Sequence, residues 1–315
     1  MGVVVGVDIG GTKVLAGAVD PDGRVVRTAS RTTPGRRGVT CEAEDALVSA
    51  VLEAAGGRAV AAVGIAAAGF VDSAGERVVF APHLPWQGEP LRELLAERLG
   101  CPVALDNDAN CAARAEAHHG AARGAAHALM VTMGTGIGGA VLLRGEVVRG
   151  ASGMAGEFGH MQVVPDGRPC ECGRRGCWEQ YSSGNALVRR ARSLMTEQAS
   201  VLASGGDPDV VTGPMVTAAA EQGDRVARAA FASVGDWLGV GTANLVAALD
   251  PEVVVIGGGV SAAGELLLAP ARDALSRTLV GAAHRRVPRL VAARLGPRAG
   301  MVGAALLAAE GQPRR

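Results

Sequence analysis

Val3-Val-Val-Gly-Val-Asp8-Ile-Gly10-Gly11-Thr12-Lys13-Val14-Leu-Ala-Gly-Ala-Val19 consists of two apolar runs joined by a glycine-threonine turn. Short β-branched runs of this kind read as strands, and Pro21-Asp22-Gly23 is a turn signal that returns the chain into a third run around Val25-Val26. The reading is an antiparallel meander. The same order comes back later: His127 to Met133, then Gly134-Thr135-Gly136-Ile137-Gly138-Gly139, then Ala140 to Leu143, a turn at Arg144-Gly145, and Val147-Val148. Both copies run strand, glycine-threonine turn, strand, glycine turn, strand, with a one-residue offset. This internal duplication predicts two related lobes facing each other.

Between the copies, Glu42 to Ala55 and Pro90 to Leu99 read as helices and Ala59 to Ala66 as a strand. Val103 to Leu105 reads as a strand that stops at Asp106-Asn107-Asp108-Ala109-Asn110, and Cys111 to His118 has helical composition. Asp and Asn cluster there as helix capping demands. Farther on, Gly184 to Thr196 and Asp224 to Leu249 read as helices, the second with room for a break near Gly239. Val253 to Ile256 is a fully apolar strand ending in Gly257-Gly258-Gly259, residues 300 to 310 read as a helix, Ser200 to Pro214 as a loop, and Gly311 to Arg315 as a frayed end.

Two familiar phosphate motifs are approached and missed. Gly6 to Lys13 resembles a P-loop, but Lys13 and Thr12 stand in the wrong order and a strand follows. Gly134-x-Gly136-x-x-Gly139 matches the dinucleotide fingerprint, which is valid only where it opens a helix; here it opens another apolar run. Glycine turns do something simpler. They let backbone N–H groups approach phosphate oxygens closely, while Thr12 and Thr135 add hydroxyl donors. Asp8, at the end of the first strand, stands where a Mg²⁺ escorting phosphates needs a carboxylate. The alternative is a pair of plain hairpin turns, with Asp8 a turn residue.

Glu157-Phe-Gly-His160, followed by Cys170-Glu-Cys172-Gly-Arg-Arg-Gly-Cys177-Trp-Glu179, brings three cysteines and a histidine close together. Three thiolates and one imidazole suit tetrahedral zinc, and four protein ligands leave no open position, so such a metal would be structural. The alternatives are a disulfide or ordinary buried thiols. A disulfide across one intervening residue is badly strained. Cys41, Cys101 and Cys111 stand apart, with no partner suggested by spacing. Glu157 and Glu179 frame the run without being needed as ligands and are free to face a substrate.

Composition bounds the rest. The chain has 315 residues, 48% of them hydrophobic, with 31 Lys plus Arg against 31 Asp plus Glu. That balance gives no electrostatic footprint for nucleic acid. No apolar run is long enough to span a membrane, and the N-terminus enters a strand without a signal-peptide pattern, so a cytoplasmic protein is expected.

These motifs carry a resemblance. Asp8-Ile-Gly-Gly-Thr12, Asp106-Asn-Asp-Ala-Asn110, Gly134-Thr-Gly136, Glu157-x-x-His160, the Cys-x-Cys-x₄-Cys run and Gly257-Gly-Gly259 stand in the order seen in ROK-family sugar kinases. The resemblance covers nearly the whole chain and is strongest toward ATP-dependent glucokinases of the actinobacterial type. It implies an α/β protein of the actin-like ATPase (ribonuclease H-like) fold, two lobes with an interlobe cleft. It implies a small lobe of residues 1–108, completed by a C-terminal helix of about 299–315, and a large lobe of 109–298 carrying the zinc site. Transferred residue by residue, it makes Asp108 the general base, and Gly69, Asn107, Asp108, Glu157, His160 and Glu179 the glucose contacts. ATP falls to Asp8, Gly10, Gly11, Thr12, Lys13, Gly134, Thr135, Gly136, Gly257, Gly258 and Gly259. Zinc falls to His160, Cys170, Cys172 and Cys177, with one ring nitrogen of His160 on the metal and the other on the sugar. One departure is His83 in Pro82-His83-Leu84-Pro85-Trp86, where many family members carry Asn.

The implied activity is transfer of the ATP γ-phosphoryl group to the 6-hydroxyl of glucose with Mg²⁺, a reaction governed by positioning and charge stabilisation. Asp108 keeps a competing reading as the N-cap of the helix beginning near Ala109. Other acceptors stay open: N-acetylmannosamine, N-acetylglucosamine, fructose or allose. Polyphosphate as donor is disfavoured, because the zinc run is not expected in relatives that use it. The family also contains sugar-sensing repressors, but those carry a helix-turn-helix ahead of the kinase-like part, whereas the first strand here begins at residue 3. Relatives are often dimers or tetramers, so a homo-oligomer is expected.

Overall fold

The structure, a computed structural model, describes residues 2–36, 38–195, 200, 202 and 207–311. In chain order the first elements are β1 (Val3–Ile9), β2 (Lys13–Val19), β3 (Val25–Thr32), α1 (Thr40–Ala55), β4 (Val60–Ala67), β5 (Phe70–Val71), β6 (Val78–Phe80), α2 (Leu91–Leu99), β7 (Val103–Asn107) and α3 (Asp108–His119). There follow β8 (His127–Met133), β9 (Ile137–Leu143), β10 (Glu146–Val147), α4 (Gly184–Met195), α5 (Gly213–Glu221), α6 (Arg225–Leu249), β11 (Val253–Gly257), α7 (Glu265–Thr278), β12 (Arg289–Ala292) and α8 (Ala299–Glu310). Two five-stranded sheets run β3-β2-β1-β4-β7 and β10-β9-β8-β11-β12. Each joins an antiparallel meander to two parallel strands, so the duplication read from the meanders extends through both sheets.

The chain divides into two compact units: Met1–Ala126 with Ala140–Gly156 and Arg294–Arg315, and His127–Gly139 with Glu157–Ala293. In the first, the period of two along β1 and β4 sorts residues cleanly. Val5, Val7, Val63 and Ile65 join Leu47 and Val51 of α1 in one apolar cluster. Gly6 and Gly64 lie on the opposite face, against α8. A Cβ on Gly64 would stand 1.7 Å from the Ala304 carbonyl oxygen, and one on Gly6 would stand 1.9 Å from that of Met301. The helix meets the bare backbone of the sheet because seven of its twelve residues are Ala or Gly. Gly303 in turn brings it against α3, where an added Cβ would sit 1.7 Å from the Cys111 carbonyl oxygen. Since these obstacles are backbone atoms, Gly64→Ala is expected to lose roughly 3 kcal/mol of stability by overpacking. Chemical denaturation checks this; an unchanged midpoint would mean that the helix can shift away at no cost.

In the second unit, β11 is buried along its whole length, as its unbroken apolar run implies. The helix over Arg225–Leu249 is continuous through Gly239, where the sequence left room for a break. The glycine is there for packing: an added Cβ would meet the Ala271 carbonyl oxygen at 2.4 Å and the Ala274 Cβ at 2.6 Å, both on α7. Three further boundaries differ from the sequence reading. β7 continues through Asn107 and α3 begins at Asp108; Gly138 and Gly139 belong to β9 rather than to a loop; and α5 starts inside the stretch read as a loop up to Pro214. Thr196 and the frayed end beyond Gly311 lie outside the described residues. Among the described residues no helix is long and apolar enough to cross a membrane.

Candidate functional site

The first unit gathers carboxylates at the ends of β1 and β7, the two strands that flank β4. Asp8 on β1 and Asp106 on β7 are both in register with Ala66 of β4, so they share the face that carries Gly64. Asp8 lies against the first turn of α8, where a Cβ on Gly300 would be 2.6 Å from its Oδ2. Burial, reinforced by the nearby Asp108 charge and opposed by Lys13, pushes the Asp8 carboxyl up to about 7. A cation bound beside it would favour the charged form.

Asp108 and Asn107 divide the work that the sequence left undecided between them. The N-cap of α3 is Asn107, whose Oδ1 accepts from the backbone N–H of Ala109 at 2.8 Å and of Asn110 at 3.2 Å. Its Nδ2 donates to the Gly69 carbonyl at 3.0 Å, and the same side chain hydrogen-bonds the Asp108 carboxylate. Asp108 is thereby relieved of the cap; it accepts from the adjacent Ala109 N–H at 2.9 Å and is also reached by the Asn107 side chain. Burial raises its pKa against the pull of neighbouring N–H groups and of the Asn107 side chain.

In the turn Gly10-Gly11-Thr12 two carbonyl oxygens are occupied: Thr33 Oγ1 donates to Gly10 O at 2.8 Å and Thr33 N to Thr12 O at 3.1 Å. Among the described residues the N–H groups of Gly11 and Thr12 carry no such bond, as a phosphate cradle requires. His83 packs directly on this turn, since a Cβ on Gly11 would meet the His83 Cβ at 2.5 Å.

In the second unit, the β8–β9 turn Gly134-Thr135-Gly136 is tied to the start of α4 by Gly184 N–H to Gly134 O at 2.8 Å and Asn185 N–H to Thr135 O at 3.3 Å. The strand offset between the two copies is nil, as β1 and β8, like β2 and β9, have seven residues each around three-residue turns. The threonine alone moves, from third to second place in the turn. Gly258, at φ 81°, lies so close to Met133 that a Cβ would stand 2.4 Å from its carbonyl oxygen. This contact brings Gly259 to the β8–β9 turn. Gly134, Thr135 and Gly259 then form one wall of a cavity of about 590 Å³, closed by Leu187 and Val188 of α4 and Pro214 and Thr217 of α5. Its lining is mostly apolar, with polar groups from Thr135 and Asn185 and, on α5, from Thr217 and Glu221. A cavity of this size and lining could take a nucleoside.

The same unit holds the thiol and imidazole cluster. Nδ1 of His160 and the sulfurs of Cys170, Cys172 and Cys177 all lie within 4.8 Å of one another. The Cys172 and Cys177 sulfurs are 3.6 Å apart, and the Cys170 sulfur is 3.7 Å from His160 Nδ1. Burial pushes the Cys170 thiol up to about 12 and raises Cys177. Burial acts in the same sense on Cys172, but the Arg174 N–H and the neighbouring thiols hold it below the ordinary thiol range. Thiols sharing protons in this way fit a dication that replaces those protons. Trp178 anchors the cluster: fully buried, it donates from Nε1 to Trp237 O at 2.7 Å and from N to Met161 O at 2.8 Å. Glu179 accepts from Cys170 Sγ at 3.3 Å and from Ile137 N–H at 3.4 Å. Glu157, exposed, begins the single turn Phe158–His160.

Sequence reasoning missed Gly300, Thr33, Trp178 and the walls of α4 and α5. Each acts through distant packing and carries no local motif.

The chain matches the ROK family model over residues 4–311. It is 45% identical to the glucokinase of Streptomyces coelicolor over 319 positions, covering 99% of each. A crystal structure of a ROK family glucokinase from Streptomyces griseus in complex with glucose and AMPPNP aligns with a TM-score of 0.89 at 45% identity, over 98% of this chain and 100% of that one. ROK hexokinase from Thermus thermophilus aligns with a TM-score of 0.80 at 38% identity, over 98% of both chains.

Proposed function

The chain belongs to the ROK family and has its actin-like ATPase fold, and on that premise we propose that it is an ATP-dependent glucokinase. The observation that carries the reading is full-length likeness, at 45% identity, to glucokinases, one of them bound to glucose and an ATP analogue.

Asp108 acts as general base. It takes the proton of the glucose 6-hydroxyl as that oxygen bonds to the γ-phosphorus, while the bond from phosphorus to the bridging oxygen breaks and ADP leaves. Asn107, fixed by its cap, by Gly69 and beside Asp108, contacts the sugar through its amide. Glu157 and Glu179 accept from sugar hydroxyls. His160, with Nδ1 turned to the thiols, offers Nε2 to the sugar. A sugar lacking one of these hydroxyls would leave a buried group unpaired at roughly 1–3 kcal/mol.

The nucleoside occupies the cavity between α4 and α5, and the two glycine-threonine turns receive the phosphates. Asp8 is the residue to hold Mg²⁺, which supplies charge neutralisation to the triphosphate when bound. His160, Cys170, Cys172 and Cys177 would hold one zinc, which fixes the loop bearing the sugar contacts. A panel of hexoses assayed with ATP and Mg²⁺ tests the reading. Efficient phosphorylation of N-acetylmannosamine without turnover of glucose would move the protein to another branch of the family.

A further inference from the structure

Asp106 is 1% exposed and carries a charge that the proposed chemistry does not use. Both its oxygens are filled. Oδ2 accepts from Arg149 Nε at 3.0 Å and Nη2 at 2.6 Å; Oδ1 accepts from Asn107 N–H and Asn110 Nδ2, both at 2.9 Å. The last two donors flank Asp108 in sequence, one just before it and one a half-turn after. A buried ion pair gives little net stability over apolar residues of the same volume, so its persistence here points to what it orients.

Its cationic partner heads a short strap. Ala155 N–H closes onto Arg149 O at 3.0 Å, and Gly153, at φ 84°, lies on β5, where a Cβ would meet the Val71 carbonyl oxygen at 2.0 Å. The chain leaves this strap directly into Glu157-Phe-Gly-His160. One guanidinium therefore holds the turn that presents Asp108 and the segment that delivers the next polar residues.

We propose that Arg149 and Asp106 form a positioning pair that sets the glucose side of the reaction, the base and the strap together, while leaving the ATP side untouched. The inference rests on the glucokinase reading but is tested separately from it. Displacement of a reacting group by about 1 Å costs on the order of 100-fold. Arg149→Met is thus expected to lower kcat/KM for glucose by about 100-fold, with KM for ATP within about twofold of the unaltered protein. Arg149→Lys keeps the charge but not the two-pronged contact and should recover only part. Asp106→Asn, nearly isosteric, should produce the same sugar-side loss, and the double variant should lose no more than either single one, because the two residues act as a unit. Added methylguanidinium should restore turnover to Arg149→Gly. Unchanged glucose kinetics in Arg149→Met, or KM for ATP rising as much as that for glucose, would overturn the pair's role. The comparison is a ratio to the unaltered protein on whichever hexose it phosphorylates, so failure on glucose itself would strike the function reading and not this one.

Discussion

Asp108→Asn is expected to leave a folded protein that binds glucose and ATP but turns over about 10²–10⁴-fold more slowly. The geometry makes this substitution unusually clean. Helix α3 is capped by Asn107, so the cap does not depend on residue 108. The bond that Asp108 accepts from Ala109 N–H can be accepted equally by an asparagine oxygen. Stability should not fall, because Asp108 is one of the charges that raises the Asp8 carboxyl, and removing it relieves that repulsion. What asparagine cannot do is take up a proton. The pH profile carries the same information. Burial raises the Asp108 pKa, and a base works only when ionised, so kcat/KM should fall with decreasing pH along a limb lying above the ordinary carboxylate range. The variant should lose that limb along with its rate. Steady-state kinetics, calorimetric glucose binding and thermal melting decide the matter together: a variant with near-normal kcat would return Asp108 to a structural role.

The parts of the fold that were legible in sequence are those written in local period and turn chemistry. The meanders around Gly10-Gly11-Thr12 and Gly134-Thr135-Gly136 were readable because glycine turns punctuate short apolar runs, and β11 because nothing polar interrupts it. The cysteine and histidine cluster was readable for the same reason, since its members are close together along the chain. What stayed hidden depends on distant partners. Gly239 looks like a helix breaker until α7 is seen lying against it. Asp106, Asn107 and Asp108 carry nearly identical capping propensity, and only Arg149, Gly69 and the start of α3 tell an anchored carboxylate from a cap and from a carboxylate relieved of capping. Gly300 has no signature at all, because what it must accommodate is the Asp8 carboxylate from the other end of the chain.

Cys172→Ala is expected to release the metal and to raise KM for glucose about 10–100-fold, the range seen when support around a metal-linked residue is removed. KM for ATP should stay within about twofold. The asymmetry follows from what each site is built on. The turn at Gly134-Thr135 is held by the start of α4 and by Gly258, and the cluster meets the far end of this turn through Glu179, which accepts from Ile137 N–H. His160 and Glu179, by contrast, share the Cys170 sulfur, so a loosened cluster frees both at once. Exposed Cys172 is the ligand whose removal disturbs least else, since Cys177 is tied to the buried Trp178 and Cys170 packs against Glu179. Global unfolding should therefore shift little: the cluster organises one loop of a 315-residue chain whose sheets and helices pack without it, unlike a small domain that folds only around its metal. Metal analysis, kinetics on both substrates and thermal melting test this. Chelator-treated unaltered protein should reproduce the high KM for glucose and recover on adding zinc. Stoichiometric zinc in Cys172→Ala together with an unchanged KM for glucose would show that His160, Cys170, Cys172 and Cys177 are not the zinc ligand set.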